Sequence, residues 1–214
     1  MKIMESAEKL AARSQVYKLL AQAYYPPEES LLQGDFPDRL RNALHVLQPD
    51  LCAGELEEIE NCLRSLKEPL ELAVEYTRLF RGPVKAEAYP YESMYIDGEV
   101  MGASTLDVLR RYEEAGVGVS DDFKDLPDHV SAELEFMHYL TARELEAWQR
   151  KDQDEAVRFH LLAHSFLNDH LARWVSDFAD ATLRNATTPF YLGLAGITKG
   201  FVYGEETRAS ALSV

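Results

Sequence analysis

The chain has 214 residues, of which 46% are hydrophobic and 28% are charged, and this ordinary globular composition excludes collagen and low-complexity disorder. The 37 acidic residues outnumber the 22 basic residues, giving a formal net charge of −15. A surface of this charge repels phosphate backbones, so we expect no nucleic-acid partner.

The N-terminal segment and the two cysteines indicate the compartment. Residues 1–14 lack the apolar core of a signal peptide, and no run approaches the roughly 18 apolar residues that span a membrane. Cys52 and Cys62 are predicted to lie in one helix, about 15 Å apart and beyond disulfide reach. We therefore predict a cytoplasmic, reduced protein without stable membrane insertion, either a monomer or a homodimer.

Apolar residues at helical spacing predict four helices in the N-terminal part of the chain. The first covers residues 7–24, the second 40–47, the third 56–66, and the fourth runs from Pro69 to the stop at Gly82 and Pro83. The predicted buried face of the fourth helix consists of Leu70, Ala73, Val74, Thr77 and Phe80.

The middle of the chain is less regular. Residues 81–103 combine glycines and prolines with several tyrosines, which predicts an aromatic loop too long to be a simple connection. Ser104 with Asp107 then predicts a helix N-terminus, and Gly116 a left-handed C-terminal cap. The buried face of this helix is predicted to be Leu106, Leu109 and Tyr112. A polar loop follows to Pro127.

Long helices are predicted for the C-terminal part. One begins after Pro127 and Asp128, a second covers residues 157–178, and Thr188 with Pro189 begins the last. The apolar stripe of the first is Val130, Leu134, Met137, Thr141, Leu145 and Trp148. No strand pattern is present, so we predict an all-α, single-domain helical bundle over residues 1–214, with the loop 116–127 as the best seam should it divide.

One constellation could carry metal chemistry. Glu135 and His138 form an E-x-x-H pair on one helical face, as in di-iron bundles, although those sites need two such pairs. His160 and His164 share another face at zinc-ligand spacing. Phosphate-binding glycine loops, serine-nucleophile motifs and C-x-x-C are absent, which favours binding over catalysis. A metal-dependent helical-bundle enzyme using these four residues is the alternative function.

Two segments carry a resemblance to a known family. Residues 76–95 read YTRLFRGPVKAEAYPYESMY and residues 125–137 read DLPDHVSAELEFM. Their aromatic-x-x-Leu-Phe before Gly-Pro, their Pro-aromatic-Glu-Ser-x-Tyr loop and their Pro-Asp-His helix entry resemble the TorD/DmsD/NarJ family of cytoplasmic molybdoenzyme chaperones. The stretches YKLLAQAYYPP, HLARWVSDF and PFYLGLAGITKGF resemble that family more weakly.

The resemblance implies a TorD-like all-α chaperone that catalyses no reaction and needs no cofactor. Its members bind the N-terminal leader of a molybdenum-containing oxidoreductase subunit, often a twin-arginine leader. They hold the precursor until cofactor insertion and folding are complete, before export or assembly. Some members instead assemble membrane-bound nitrate reductase, and the sequence does not choose between these clients. A purely structural subunit of a complex is a third reading.

A leader peptide presents an apolar stretch beside arginines, so its receptor needs an apolar groove edged with carboxylates. The predicted groove residues are Leu79, Phe80, Tyr89, Tyr91, Met94 and Tyr95. Glu92, Asp125 and Asp128 are predicted to face the arginines, and Tyr76, Ser93 and His129 of the same motifs complete the predicted site. The structural alternatives are a core position for Leu79 and Phe80, a surface position for Tyr76, a turn-stabilising hydrogen bond for Glu92, and a plain helix-entry role for Asp128 and His129.

Overall fold

The protein is an all-α bundle, as predicted. The computed structural model describes residues 6–28, 34–66, 68, 70–82, 85–120 and 122–212. Within these residues no strand is formed, and only Tyr91 and His129 make an isolated antiparallel bridge. Pro69 and Pro83, the predicted ends of the fourth helix, lie outside the described residues.

The helices in chain order are α1 (Ala7–Ala23), α2 (Phe36–Leu47), α3 (Ala53–Ser65), α4 (Leu70–Tyr76), α5 (Glu92–Ile96), α6 (Ala103–Glu114), α7 (Val130–Gln149), α8 (Gln153–Phe166), α9 (Ala172–Asn185) and α10 (Pro189–Leu212). A π-helical turn, Thr77–Arg81, extends α4, and a second, Leu167–Leu171, joins α8 to α9. The predicted helices therefore exist, and the aromatic loop contains the short α5.

Two sets of helices share one core. Helix α1 packs along α7, which in turn packs on α8, while α10 packs against both α9 and α3. Val16, Tyr17 and Leu20 of α1 are fully buried, so this helix is central rather than amphipathic. The arrangement leaves the ends of α1 and α4 and the loop before α7 at one side of the bundle, where the site described below is found.

Glycines on α10 allow this helix to approach α3 closely. A Cβ atom on Gly193 would lie 2.6 Å from the backbone oxygen of Glu55, and one on Gly196 would lie 2.9 Å from the Cγ of Glu55. Backbone cannot move aside as a flexible side chain can. The spacing of these two helices therefore depends on the missing side chain at Gly193.

The predicted buried face of the fourth helix is right for Phe80 but wrong for Leu70 and Val74. Leu70 and Val74 are 64% and 60% exposed, whereas Leu72 and Tyr76 are buried. Helix α4 has only seven residues and carries apolar side chains on opposite sides. Either side fits the helical spacing, so the spacing alone does not predict which side is buried. Leu106 of α6 is also exposed, and Val108 takes its place in the core beside the correctly predicted Tyr112.

The predicted cap at Ser104 is wrong, Thr188 has the predicted position before the last helix but its side chain does not cap it, and the cap at Gly116 is confirmed. Asp97, rather than Ser104, caps α6, because its Oδ2 accepts both the backbone N–H (2.9 Å) and the hydroxyl (2.6 Å) of Ser104. Glu75 of α4 serves the N-terminus of α10 in place of the Thr188 side chain. Gly116 does end α6 with a left-handed φ of 80°.

The cysteines form no disulfide, and both are free thiols. Cys62 lies within α3 as predicted, but Cys52 precedes that helix as its N-cap residue with a left-handed φ of 56°. The prediction that one helix carries both cysteines is therefore wrong for Cys52.

Candidate functional site

The two segments singled out in the sequence meet in the structure. The backbone N–H of Glu92 donates to the oxygen of Asp128 (3.0 Å), and the N–H of Val130 donates to the oxygen of Pro90 (2.8 Å). The Asp128 side chain accepts the N–H of Ser93 (3.0 Å). The loop before α5 is thereby fastened to the entry of α7.

Beneath this junction lies a buried polar cluster. A carboxylate oxygen of Glu92 lies 3.0 Å from Nδ1 of His170, and the indole N–H of Trp174 donates to Oε2 of Glu133 (3.1 Å). Burial, followed by the neighbouring Glu92 carboxylate, holds the pKa of Glu133 well above its usual range. Burial and the neighbouring carboxylate therefore both favour the protonated form of Glu133.

Seven of the predicted site residues are buried, and five of these lie outside the lining of the cleft described below. Glu92 and Asp128 are fully buried, and so is Ser93. Leu79 is fully buried too, and the ring of Phe80 packs in the core 5.5 Å from that of Tyr191. The structural alternatives stated for Leu79 and Phe80 are thus the ones observed. Glu92, Ser93 and Asp128 lie at the junction of the two segments, whereas Leu79 and Phe80 belong to the core.

Beside the junction, a cleft of about 620 Å³ opens to solvent. Its walls come from the end of α1, the end of α4, the loop before α7 and the outer face of α7. The lining is mainly apolar, and its aromatic side chains are Tyr25, Tyr76, Tyr112, Phe123, Phe136 and Tyr139. The loop predicted as a seam between two halves forms one wall of this cleft.

Asp125 is the central charged group of the cleft. The Tyr91 hydroxyl donates to its Oδ1 (2.7 Å), the Leu126 backbone N–H donates to the same oxygen (3.0 Å), and the Arg81 guanidinium donates to its Oδ2 (2.9 Å). Burial, followed by this hydrogen bond and the charge of Asp125, raises the pKa of Tyr91. Tyr91 itself does not line the cleft, but its hydroxyl orients the carboxylate of Asp125, which does.

His129 is the N-cap of α7 and also part of the cleft wall. Its Nδ1 accepts the backbone N–H of Ser131 (3.2 Å), and its ring packs edge-on against Tyr91 with centroids 5.4 Å apart. Burial lowers the pKa of His129 to about 4, against the opposing charge of Asp125. The imidazole is therefore neutral at pH 7, with Nδ1 as the acceptor.

Acidic groups outnumber basic groups along the cleft. The charged lining residues are Arg81, Asp122, Lys124, Asp125 and Glu135. Burial raises the pKa of the Glu135 carboxyl, and a hydrogen bond with the Tyr25 hydroxyl partly offsets this effect. A second hollow of about 400 Å³ shares Tyr25 and Glu135 with the cleft and continues along the polar side chains of Glu28 and Asp35.

Of the predicted site residues, Tyr76, Asp125 and His129 line the cleft directly. Tyr89 is half-buried outside the lining, and Tyr95 stacks on Trp174 with ring centroids 5.6 Å apart. The cleft therefore lies beside residues 89–95 and not along them.

Sequence reasoning missed most of the aromatic wall. Phe136 and Tyr139 lie off the predicted apolar stripe of α7, and their rings are stacked with an interplanar angle of 12°. Phe123 is an aromatic residue within a polar loop. Aromatic residues outside a core stripe, or alone in a polar loop, are signals that could have found these positions.

The side chains of the alternative metal site are engaged elsewhere. Nδ1 of His138 lies 2.8 Å from the Ser14 hydroxyl, and Nδ1 of His160 lies 3.1 Å from Oε1 of Glu144. His164 contacts Asn168 with 3.1 Å between Nδ1 and Nδ2. Across the described ranges, no group of three or more His, Cys, Asp or Glu residues is arranged to hold a metal ion. The structure gives the metal-dependent enzyme no support.

None of the helices in the described part of the chain is long and apolar enough to cross a membrane.

Comparison with known proteins identifies the family. The model of the nitrate reductase delta subunit family matches residues 46–180, and the chain belongs to this family. The TorD chaperone of Salmonella agona is 30% identical over 90% of this chain and 89% of its own. A perchlorate reductase assembly chaperone of Dechloromonas aromatica is 28% identical over 94% of this chain and 91% of its own. The resemblance stated from the two motifs is confirmed.

A solved structure has the same fold. A redox enzyme maturation protein from Archaeoglobus fulgidus aligns with a TM-score of 0.56 and 21% identity, covering 89% of this chain and 93% of its own. This similarity shows the fold. The curated relatives are named as chaperones, and the prediction that the chain is a maturation chaperone and not an enzyme is confirmed.

Proposed function

We propose that this chaperone binds the N-terminal leader of a molybdenum-containing oxidoreductase subunit in the cleft beside α7. It holds the precursor in the cytoplasm while the cofactor is inserted and the enzyme folds. Relatives are named as assembly chaperones of perchlorate, chlorate and selenate reductases, which supports a client of this class.

The observation that carries the proposal is the combination of aromatic walls and carboxylates in one open cleft. Tyr25, Phe123 and Tyr139 supply a wide apolar surface that adapts to different helical or extended segments. Asp122 and Glu135 supply the negative charge that arginines require. A leader combines both features, an apolar stretch and adjacent arginines.

The polar hollow next to the cleft supports a ligand with two unlike parts. The cleft and the hollow meet at Tyr25 and Glu135, so a bound peptide can pass from apolar to polar surroundings without leaving the protein. Exposed ion pairs contribute only about 0.2–1 kcal/mol each. The apolar contacts in the cleft therefore supply most of the affinity, and the charges select the arginines.

Isothermal titration with a synthetic twin-arginine leader tests the proposal. Phe123→Ala removes an aromatic wall from a loop, so it is expected to weaken binding by about 10-fold, equivalent to about 1.4 kcal/mol. Tyr203→Ala is the matched control, because Tyr203 is 68% exposed on α10 and does not line the cleft. Circular dichroism shows whether both variants keep the wild-type helicity.

Equal affinity of the wild type and both variants would place the leader elsewhere. Absence of binding by folded wild-type protein would overturn the proposed function itself.

A further inference from the structure

Arg81 lines the cleft beside Asp125. It is the last residue of the π-helical turn, and its side chain is 47% exposed. Gly82 follows with a φ of 57°, and a Cβ atom there would overlap the backbone of Lys85. This turn directs the guanidinium back across the cleft to Asp125.

The partners of Asp125 fall into two groups. Tyr91 and the Leu126 backbone both donate to Oδ1, and both belong to the packed junction between the two motif segments. Arg81 donates to Oδ2 from a half-exposed position. His129 lies farther off, with its Nε2 4.0 Å from Oδ2. Arg81 is therefore the partner that can leave without opening the junction.

A guanidinium from a ligand would make the same contacts as Arg81. It carries the same charge and the same planar set of donors, so exchanging one for the other leaves the charge at Asp125 balanced. The Asp125 side chain is only 10% exposed, so its carboxylate would be costly to leave unpaired in the free protein.

We infer that Arg81 is an internal stand-in for a leader arginine, and that an incoming arginine displaces it from Asp125. This inference rests on the proposed leader binding. Arg81 thus makes the cleft selective, because a ligand without a guanidinium leaves the Arg81–Asp125 pair in place and gains nothing from this carboxylate. A leader arginine must displace Arg81 before it pairs with Asp125. The wild type therefore binds arginine leaders less tightly than a protein whose Asp125 is not paired with Arg81.

The test measures the affinity of four proteins for two peptides by isothermal titration. The peptides are a twin-arginine leader and the same leader with both arginines replaced by alanine. The proteins are the wild type, Arg81→Gln, the double variant Arg81→Gln/Asp125→Asn, and Arg110→Gln. The last variant is the matched control, because Arg110 is exposed, pairs with Asp107 outside the cleft and removes the same unit of charge.

Arg81→Gln is expected to bind the arginine leader about 5- to 10-fold more tightly than the wild type, and the alanine leader equally. The double variant is expected to lose that gain, because the carboxylate is gone. Arg110→Gln is expected to change either affinity less than about 2-fold.

A weaker or unchanged affinity of Arg81→Gln for the arginine leader overturns the inference, and so does a gain matched by Arg110→Gln. If the wild type binds both leaders equally, leader binding stands and the role of Arg81 fails. If no folded protein binds either leader, both fail. In the wild type, the Nε–H NMR signal of Arg81 should shift with the arginine leader only, which tests displacement without a substitution.

Discussion

The carboxylate of Glu75 accepts the backbone N–H of Thr188 with 2.9 Å between Oε2 and N, although 113 residues separate the two in the chain. It also accepts the Thr187 hydroxyl (2.9 Å). Glu75 thus caps α10 and holds it to α4. The residue after Glu75 is Tyr76, which ends α4 and lines the cleft. The wall of the cleft therefore depends on a contact between the middle and the C-terminal part of the chain.

Glu75→Gln is expected to destabilise the protein by about 1–3 kcal/mol at pH 7, because charge-assisted hydrogen bonds become neutral ones. Burial raises the pKa of Glu75, but the hydrogen bonds from Thr188 and Thr187 outweigh it, and the net shift is downward. This contribution to stability is therefore present above the unfolded-state pKa and is lost as pH falls through the folded-state pKa. Urea unfolding at several pH values measures the loss.

Glu71→Gln is the control for that experiment, since Glu71 is exposed in the first turn of the same helix. Equal stability of the two variants would show that Glu75 does not cap α10.

Glu133→Gln should gain stability relative to the wild type as pH rises. Burial and Glu92 raise the folded-state pKa of Glu133, so above the unfolded-state pKa the native protein binds the extra proton. Because of Glu133, the free energy of unfolding of the wild type falls as pH rises. Glutamine resembles the protonated acid and does not titrate, so this pH dependence is absent from Glu133→Gln. Glu133→Ala should instead cost about 1–3 kcal/mol by leaving the Trp174 N–H without its acceptor.

Parallel pH profiles for the wild type and Glu133→Gln, measured by chemical denaturation between pH 5 and pH 8, would contradict a raised pKa for Glu133.

His129→Asn should reduce the loss of stability that the wild type undergoes as pH falls below 7. The folded-state pKa of about 4 lies below the ordinary value of 6.5, so between these values the unfolded chain binds more protons and the native state loses stability as pH falls. The full shift corresponds to about 3 kcal/mol. Asparagine keeps an N-cap acceptor for Ser131 but does not titrate in this range. Thermal unfolding from pH 7 to pH 4 measures the difference.

His45→Asn replaces an exposed histidine of α2 and should leave the profile unchanged. A wild-type slope that survives in His129→Asn would assign the acid sensitivity to another group.

Gly193→Ala should destabilise the protein by about 1–3 kcal/mol, because the added methyl group meets the Glu55 backbone. Gly204→Ala on the same helix should stabilise it by about 0.5–1 kcal/mol, since nothing lies within 4 Å of its Cβ position and alanine favours the helix. Chemical denaturation of both variants measures opposite signs. A stabilising Gly193→Ala would mean that α10 and α3 are not in close contact.

Much of the site escaped sequence reasoning for a common reason. The sequence motif around Glu92 and Asp128 was correctly found, but the structure uses these carboxylates inside the junction. A carboxylate between aromatic residues reads the same in sequence whether it faces a ligand or a buried histidine such as His170. Burial depends on which helix covers the segment, and that covering helix is far away in the chain.

The sequence by itself determined the all-α class, nearly all the helices, the left-handed end of α6 at Gly116 and the family, because helical period, breakers and motifs are local features of the chain. Only the tertiary structure decided which aromatic residues line one cleft. Tyr25, Tyr76, Phe123 and Tyr139 come from four separate segments, and a cleft exists only where the packing of α1 on α7 brings their side chains to one surface.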